Sequence, residues 1–220
     1  MIKLAIFDLD GTLLNTIADL GASTNYALKQ LGYPTHELNK YNFMVGNGID
    51  LLFERALPEG SKSTENVAKM RKIFIEYYQN NITTHTTPYD GIIELLDTIH
   101  KSGIKLAVAS NKYQLGTTTL VEHFFPNIPF VAILGQRQGI PTKPDPHIIN
   151  DILSVCPAEP TEILYVGDSG VDMKTAQNAN LIACGVSWGI RPVEEIKAYN
   201  PEYIVNHPSE ILEIIKKHNN

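Results

Sequence analysis

Residues 4 to 16 read Leu-Ala-Ile-Phe-Asp-Leu-Asp-Gly-Thr-Leu-Leu-Asn-Thr. The run Leu4–Phe7 is apolar without alternation, which is typical of a strand buried on both faces of a parallel sheet. Two carboxylates, Asp8 and Asp10, follow that strand directly. Open α/β sheets bind their ligands at the carboxyl ends of the strands. Because buried charge needs compensation, the acidic pair predicts a cation and an anionic substrate nearby.

Apolar runs and helical patterns alternate along most of the remaining chain. The further strands are expected at 106–109, 130–134, 163–166, 181–184 and, more weakly, 203–205. The helices are expected at about 91–101, 114–124, 146–154, 172–179, 193–199 and 208–217. Such alternation predicts an α/β fold with a doubly wound, Rossmann-like parallel sheet as its core.

The segment from about 17 to 87 interrupts this alternation, because it contains no clear strand. Apolar residues recur there at helical spacing. They include Val67, Met70, Phe74 and Tyr77, and a second packing face is expected over 51–57. We therefore predict a core of 1–15 and 88–220 and an inserted, all-helical cap of 16–87. A mobile cover over the strand ends would exclude water and select substrates.

Chain length, net charge and cysteine content indicate which partners and which compartment to expect. The chain has 220 residues and a formal net charge of −6, with no basic cluster, so we expect no nucleic-acid partner. No apolar stretch approaches the roughly 18 residues that would cross a bilayer, and we expect no membrane association. Cys156 and Cys184 form no ligand-spaced cluster and are interpreted as free thiols in a reducing compartment. We expect a cytoplasmic monomer or homodimer.

Three further loops carry polar residues just beyond predicted strands. Ser110 and Asn111 follow 106–109, Lys143 lies downstream of 130–134, and the run Gly-Asp-Ser-Gly-Val-Asp at 167–172 follows 163–166. Because the carboxyl ends of parallel strands share one edge of a sheet, these side chains are expected to converge on Asp8 and Asp10. Taken singly each signal is weak: Asp168, for example, is equally consistent with a helix N-cap.

In this order, Asp-x-Asp-Gly-Thr-Leu, strand-Ser-Asn, Lys-Pro-Asp and Gly-Asp-Ser-x-x-Asp resemble the four motifs of the haloacid-dehalogenase-like (HAD) hydrolase superfamily. The helical insert resembles the C1-type cap of that superfamily. The resemblance implies that Asp8 is a nucleophile that forms an aspartyl-phosphate, and that Asp10 is the general acid and base. It also implies that Lys143 is a catalytic cation that binds phosphate.

The same resemblance implies the remaining ligands. Ser110 and the backbone N–H groups of Asn111 and Lys112 would hold the phosphoryl oxygens. Mg²⁺ would be bound by the carboxylate of Asp8, the backbone carbonyl of Asp10 and the carboxylate of Asp168, because this ion prefers oxygen ligands. Asp172 and Ser169 would support that metal site.

The second acid favours one reaction class. Dehalogenases of the superfamily lack the acid and base that Asp10 provides, so phosphoryl transfer is expected. The segment 45–57 resembles the cap segment of bacterial phosphoglycolate phosphatases, as does the run Val-Ser-Trp-Gly at 186–189. Gly46, Asn47 and Gly48 are therefore expected to select the substrate, a small phosphorylated metabolite. A sugar-phosphate mutase, a pyrophosphatase or nucleotidase, and a non-enzymatic binding protein remain as alternatives.

Overall fold

A computed structural model describes all residues from 1 to 220. In chain order the strands are β1 (Leu4–Phe7), β2 (Leu14–Asn15), β3 (Thr87–Pro88), β4 (Lys105–Tyr113), β5 (Phe130–Gln136), β6 (Ile163–Gly167), β7 (Ile182–Val186) and β8 (Tyr203–Val205). The α-helices are α1 (Ile17–Gln30), α2 (Ile49–Ala56), α3 (Thr64–Asn81), α4 (Ile92–Lys101), α5 (Gln114–Phe124), α6 (His147–Val155), α7 (Gly170–Asn178), α8 (Val193–Lys197) and α9 (Pro208–Asn219).

Six of these strands form one parallel sheet in the order β5-β4-β1-β6-β7-β8. The predicted doubly wound α/β core is therefore confirmed. All four side chains of β1 are fully buried, and they alternate between two core clusters. Ala5 and Phe7 pack into one cluster, and Leu4 and Ile6 pack into the other, as expected for a strand covered on both faces. The chain winds outward from β1 in both directions, so Asp8 lies at the switch point where such folds bind ligands.

The segment between β2 and β3 is helical, as predicted, with α1 to α3 and a short 3₁₀ helix at Leu38–Phe43. Two details of the predicted packing are wrong. Tyr78, and not Tyr77, lies in the core, because the buried stripe continues four residues beyond Phe74. Tyr77 instead stacks on Tyr26, with ring centroids 4.0 Å apart. Leu51 is exposed, since the buried face of α2 follows the helical period from Ile49.

The two ends of the insert are paired, which the sequence pattern did not predict. Strands β2 and β3 are antiparallel, with Leu14 opposite Pro88 and Asn15 opposite Thr87. Beside them the buried carboxylate of Asp19 accepts hydrogen bonds from the backbone of residues 85 and 86, at 2.8 to 3.0 Å. The division into a core of 1–15 and 88–220 and a cap of 16–87 stays a prediction, with paired strands at both of its junctions.

The structure contains no helix with the length and apolar character needed to cross a bilayer. Both cysteines are free, Cys184 in the core and Cys156 half-buried.

Candidate active site

One cavity lies at the carboxyl ends of β1, β4 and β6, between the sheet and the insert. All eight side chains predicted to carry chemistry line it. They are Asp8, Asp10, Ser110, Asn111, Lys143, Asp168, Ser169 and Asp172. Parallel strands bring together residues from four separate loops, as expected from the shared sheet edge.

Lys143 is the centre of the polar network. Its Nζ donates to Asp8 Oδ1 at 2.8 Å, to Asp172 Oδ1 at 2.7 Å and to the carbonyl of Ala109 at 2.8 Å. The hydroxyl of Tyr165, on β6, lies 3.1 Å from the same nitrogen. Burial lowers the pKa of Lys143, but Asp172 and Asp8 outweigh it and hold the pKa well above its ordinary value. The buried ammonium group is therefore charged.

The carboxylates around Lys143 are only partly compensated. Burial raises the pKa of Asp8 to about 7, against the lowering effect of Lys143. Burial also raises the pKa of Asp168 well above its ordinary value, and the charges of Asp172 and Asp8 add to the shift. Proton uptake is the expected response of buried acids that lack a cation.

A divalent metal ion would compensate this charge. Asp8, Asp168 and Asp172 each offer a carboxylate oxygen, and these oxygens lie within 4.8 Å of one another. Oxygen donors of this kind are those that Mg²⁺ prefers. The donor set and the uncompensated charge both fit such an ion.

The first turn of α7 positions Ser169 and Asp172. Ser169, and not Asp168, is the N-cap of the helix, which begins at Gly170 and therefore two residues earlier than the pattern predicted. The backbone N–H of Asp172 donates to the Ser169 hydroxyl oxygen at 3.3 Å, and the backbone N–H of Ser169 donates back to Asp172 Oδ2 at 3.2 Å. The Ser169 hydroxyl donates to the same carboxylate oxygen at 2.5 Å. This capping box leaves the Asp168 side chain free to face the cavity.

Ser110 and Asn111 lie inside β4, which extends to Tyr113 and so four residues beyond the predicted end at 109, and they connect the loops of the site. The amide of Asn111 accepts a hydrogen bond from the backbone N–H of Lys143 at 2.8 Å and donates to its carbonyl at 3.1 Å. The same amide nitrogen donates to the carbonyl of Gly46 in the insert at 3.3 Å. Ser110 Oγ accepts from the backbone N–H of Lys112 at 3.2 Å. Asn111 thus joins the lysine loop to the insert.

Of the three residues predicted to select the substrate, two lie at the cavity. Gly46 and Gly48 line it, with φ of +110° and +89°, a backbone region that favours glycine. A Cβ at Gly48 would lie 3.2 Å from Gln136 Oε1, so the loop rests closely on the core. The Asn47 side chain does not line the cavity and accepts a hydrogen bond from Arg55 at 2.9 Å.

This arrangement of acids, lysine and insert agrees with the comparison to known proteins. A family model for haloacid dehalogenase-like hydrolases matches residues 5–186. The chain belongs to this family. A phosphoglycolate phosphatase from Vibrio parahaemolyticus is 32% identical over 219 residues, which cover 97% of this chain and 96% of the relative. One from Mesorhizobium japonicum is 30% identical over 204 residues, which cover 92% and 89%.

Solved structures agree with the sequence relatives. The crystal structure of a predicted phosphoglycolate phosphatase from Haemophilus somnus matches with a TM-score of 0.90 at 30% identity, covering 97% of this chain and 98% of that one. The protein is thus a phosphatase, a phosphoglycolate phosphatase-like hydrolase of the haloacid dehalogenase-like family. The alternative of a non-enzymatic binding protein is wrong.

Sequence reasoning missed the side chain of Lys112 in this hydrolase, for which only the backbone N–H was considered. Its Nζ lies 3.0 Å and 3.3 Å from the two carboxylate oxygens of Asp10, and the side chain is 3% exposed. The ammonium group also lies 4.9 Å from the ring centroid of Tyr78 in the insert. Residues 110 to 113 of β4 all line the cavity, and the pairing of this stretch with β5 is irregular, so the alternation of a regular strand does not single out Lys112. No local pattern in the sequence indicated this side chain.

The loop after β7, at 187–191, was also not recognised as part of the hydrolase site. The backbone N–H of Ile190 donates to Asp168 Oδ2 at 2.7 Å, and Trp188 Nε1 donates to the carbonyl of Thr12 at 3.1 Å. Arg191 reaches the insert and donates from Nη2 to the carbonyl of Val45 at 3.1 Å. The loop therefore holds both an acid of the cluster and the insert.

Proposed function

We propose that this protein is a Mg²⁺-dependent phosphomonoester phosphatase that acts on a small phosphorylated metabolite, with 2-phosphoglycolate as the first candidate, through an aspartyl-phosphate on Asp8. The observation that carries the proposal is the buried network in which Lys143 pairs with Asp8 and Asp172, beside Asp168, in one cavity. The phosphoglycolate phosphatases that the chain resembles over nearly its full length support the substrate.

The carboxylates of Asp8 and Asp168 and the backbone carbonyl of Asp10 would hold Mg²⁺, with Asp172 and Ser169 in support. When bound, the ion would neutralise charge on the transferring phosphoryl group. A bound ion would also favour ionised Asp8, which the nucleophilic role requires, since burial raises the pKa of that carboxyl to about 7.

Two carboxylates would divide the chemistry. A carboxylate oxygen of Asp8 attacks phosphorus, and the bond from phosphorus to the leaving oxygen breaks as the protonated carboxyl group of Asp10 gives that oxygen its proton. In the second step the resulting Asp10 carboxylate takes a proton from water, which attacks the phosphorus of the aspartyl-phosphate and releases inorganic phosphate and free Asp8. The hydrogen bond from Lys112 Nζ would keep Asp10 on the leaving-group side of the cavity.

The other residues would bind and enclose the phosphoryl group. Ser110 and the backbone N–H groups of Asn111 and Lys112 would hold its oxygens, and Lys143 would supply a fixed positive charge. The insert, as a cap of 16–87, would exclude water during the first step, with Gly46 and Gly48 shaping the space for the leaving group.

Asp8→Asn tests the mechanism. Assayed with Mg²⁺ and 2-phosphoglycolate, this variant is expected to lose at least about 10³-fold in kcat, because the amide is no nucleophile. Asp97→Asn is the matched control, since Asp97 is a half-exposed acid on α4 that forms an ion pair with Lys101. Turnover of Asp8→Asn at the control's rate would show that the assigned nucleophile is wrong.

A substrate panel tests the specificity. Inorganic phosphate release is measured from 2-phosphoglycolate, pyrophosphate, nucleoside monophosphates and sugar phosphates. We expect the highest kcat/KM for 2-phosphoglycolate. Isomer formation from a hexose 1-phosphate without phosphate release would favour the mutase instead.

A further inference from the structure

The cavity contains three cations, and two of them are fully engaged. Lys143 pairs with Asp8 and Asp172, and Lys112 pairs with both oxygens of Asp10. Both lysines therefore serve acids that perform the chemistry. The third cation, Arg191, has no such partner among the acids of the cavity.

The guanidinium group of Arg191 has unused hydrogen-bonding capacity. Its side chain is 12% exposed and lines the cavity, yet it donates one hydrogen bond, to the carbonyl of Val45. The nearest carboxylate is that of Glu195 at 3.8 Å, and the other oxygen of that carboxylate accepts from the backbone of Gly170. A guanidinium carries five N–H donors in a fixed fork, so most of this fork is available to a ligand.

Arg191 lies on the side of the cavity where the leaving group of the substrate would be. The insert loop lies directly against it, since a Cβ at Gly46 would be 3.8 Å from Nη2. Arg191 thus closes the side of the cavity that faces the insert, whereas Lys143 and Asp8 lie at the sheet. A substrate whose phosphoryl group meets Asp8 presents its other end towards the insert.

We propose that Arg191 determines substrate specificity by binding the carboxylate of an acidic leaving group. This inference rests on the proposed phosphatase function and adds a residue that recognises the part of the substrate away from phosphorus. A guanidinium matches a carboxylate with two parallel hydrogen bonds, which a neutral leaving group cannot accept with the same strength. Arg55 is not equivalent, because it is exposed, lies outside the cavity lining and donates to Met44 and Asn47.

The test compares two substrates that differ at one group. 2-Phosphoglycolate carries a carboxylate where 2-hydroxyethyl phosphate carries a hydroxymethyl group. The measured quantity is the preference, the ratio of their kcat/KM values, in wild type, Arg191→Met, Arg191→Lys and Arg55→Met. In Arg191→Met the preference is expected to fall about 10- to 100-fold, mainly through a higher KM for 2-phosphoglycolate, because a charged hydrogen-bonded contact is lost.

The other variants give the controls. Arg191→Lys keeps the positive charge but not the fork of N–H donors, and it is expected to restore part of the preference. The same variant supplies the test if Arg191→Met does not fold. Arg55→Met removes an arginine bound to the same loop and is expected to keep the wild-type preference. Equal loss of activity on both substrates in both Arg191 variants would mean that Arg191 only holds the loop, and the inference would be overturned.

Failure of the inference and failure of the proposed function are distinguishable. If wild type hydrolyses both substrates with no preference, the acidic substrate is wrong and the role of Arg191 is overturned with it. If wild type prefers 2-phosphoglycolate and both Arg191 variants keep that preference, the proposed function stands and only the role of Arg191 is overturned.

Discussion

Replacing Lys143 by methionine removes a buried charge while it keeps most of the side-chain volume. Nζ lies 2.8 Å from Asp8 and 2.7 Å from Asp172, and the lysine side chain is 2% exposed. Removal of one partner from a buried ion pair costs about 3–5 kcal/mol, because the other charge stays buried without compensation. We expect Lys143→Met to lose that much of the free energy of unfolding in metal-free protein at pH 8.

An exposed pair of similar geometry supplies the control. Lys101 Nζ lies 2.6 Å from Asp97, but the two side chains are 72% and 45% exposed. Exposed pairs contribute about 0–1 kcal/mol, so Lys101→Met is expected to be nearly neutral. Urea unfolding, followed by circular dichroism in the presence of a chelator, measures both variants. In thermal unfolding the expected decrease for Lys143→Met is about 6–20 °C, at 2–4 °C per kcal/mol for a chain of this size.

The pH dependence gives a second readout of the same reasoning. Burial raises the pKa of Asp8 to about 7 even with Lys143 present. A carboxyl whose pKa is higher in the folded than in the unfolded protein destabilises the fold increasingly as pH rises through that interval. The loss of free energy of unfolding in Lys143→Met is therefore expected to be larger at pH 8 than at pH 5.5. Equal deficits for the two lysine variants, or a deficit of Lys143→Met that does not change with pH, would refute this reasoning.

Two further predictions concern the metal site and the backbone beside it. Since burial raises the pKa of Asp8 to about 7, protons compete with a metal ion for this carboxylate at pH 6. Mg²⁺ is therefore expected to raise the melting temperature more at pH 8 than at pH 6. Equal increases at both pH values would contradict this prediction. Gly11 has a φ of +93°, and a Cβ there would collide with the carboxylate of Asp168, so Gly11→Ala is expected to weaken stabilisation by Mg²⁺. Gly103→Ala is the control, since Gly103 has a φ of +81° and open space around it. This variant is expected to lose about 1–2 kcal/mol of the free energy of unfolding and to be stabilised by Mg²⁺ as much as wild type. Melting curves with and without the ion measure both variants.

The residues at the strand ends were predictable because topology alone brings them together. Once β1, β4 and β6 are parallel neighbours, Asp8, Ser110 and Asp168 must share one edge, whatever the details of packing. Local pattern was sufficient for these elements, since each strand is a short apolar run that ends in a polar loop.

Residues whose contacts lie far away in the sequence were harder to predict. Lys112 meets Asp10 across 102 positions of sequence, and Arg191 meets Val45 across 146. No local periodicity reports such contacts, because the first joins β4 to the loop after its neighbour β1 and the second joins the core to the insert. Asn47 is a different case, because its partner Arg55 lies only eight residues further along the insert, and its motif position did not reveal that the side chain turns towards that arginine.

The short pairing of β2 with β3 has a consequence for how this hydrolase can be altered. The chain leaves the sheet and returns to it at adjacent residues, Leu14 beside Pro88 and Asn15 beside Thr87. Segments whose ends lie together can be exchanged with little disturbance of the host domain. A chimera with the insert of another family member has to match this two-residue ladder and the contacts that the insert makes with Asn111, Arg191 and Lys112 of the core. Exchange of the insert would change the part of the leaving-group space that Gly46 and Gly48 line, whereas Arg191 and the acids at Asp8 would stay with the core.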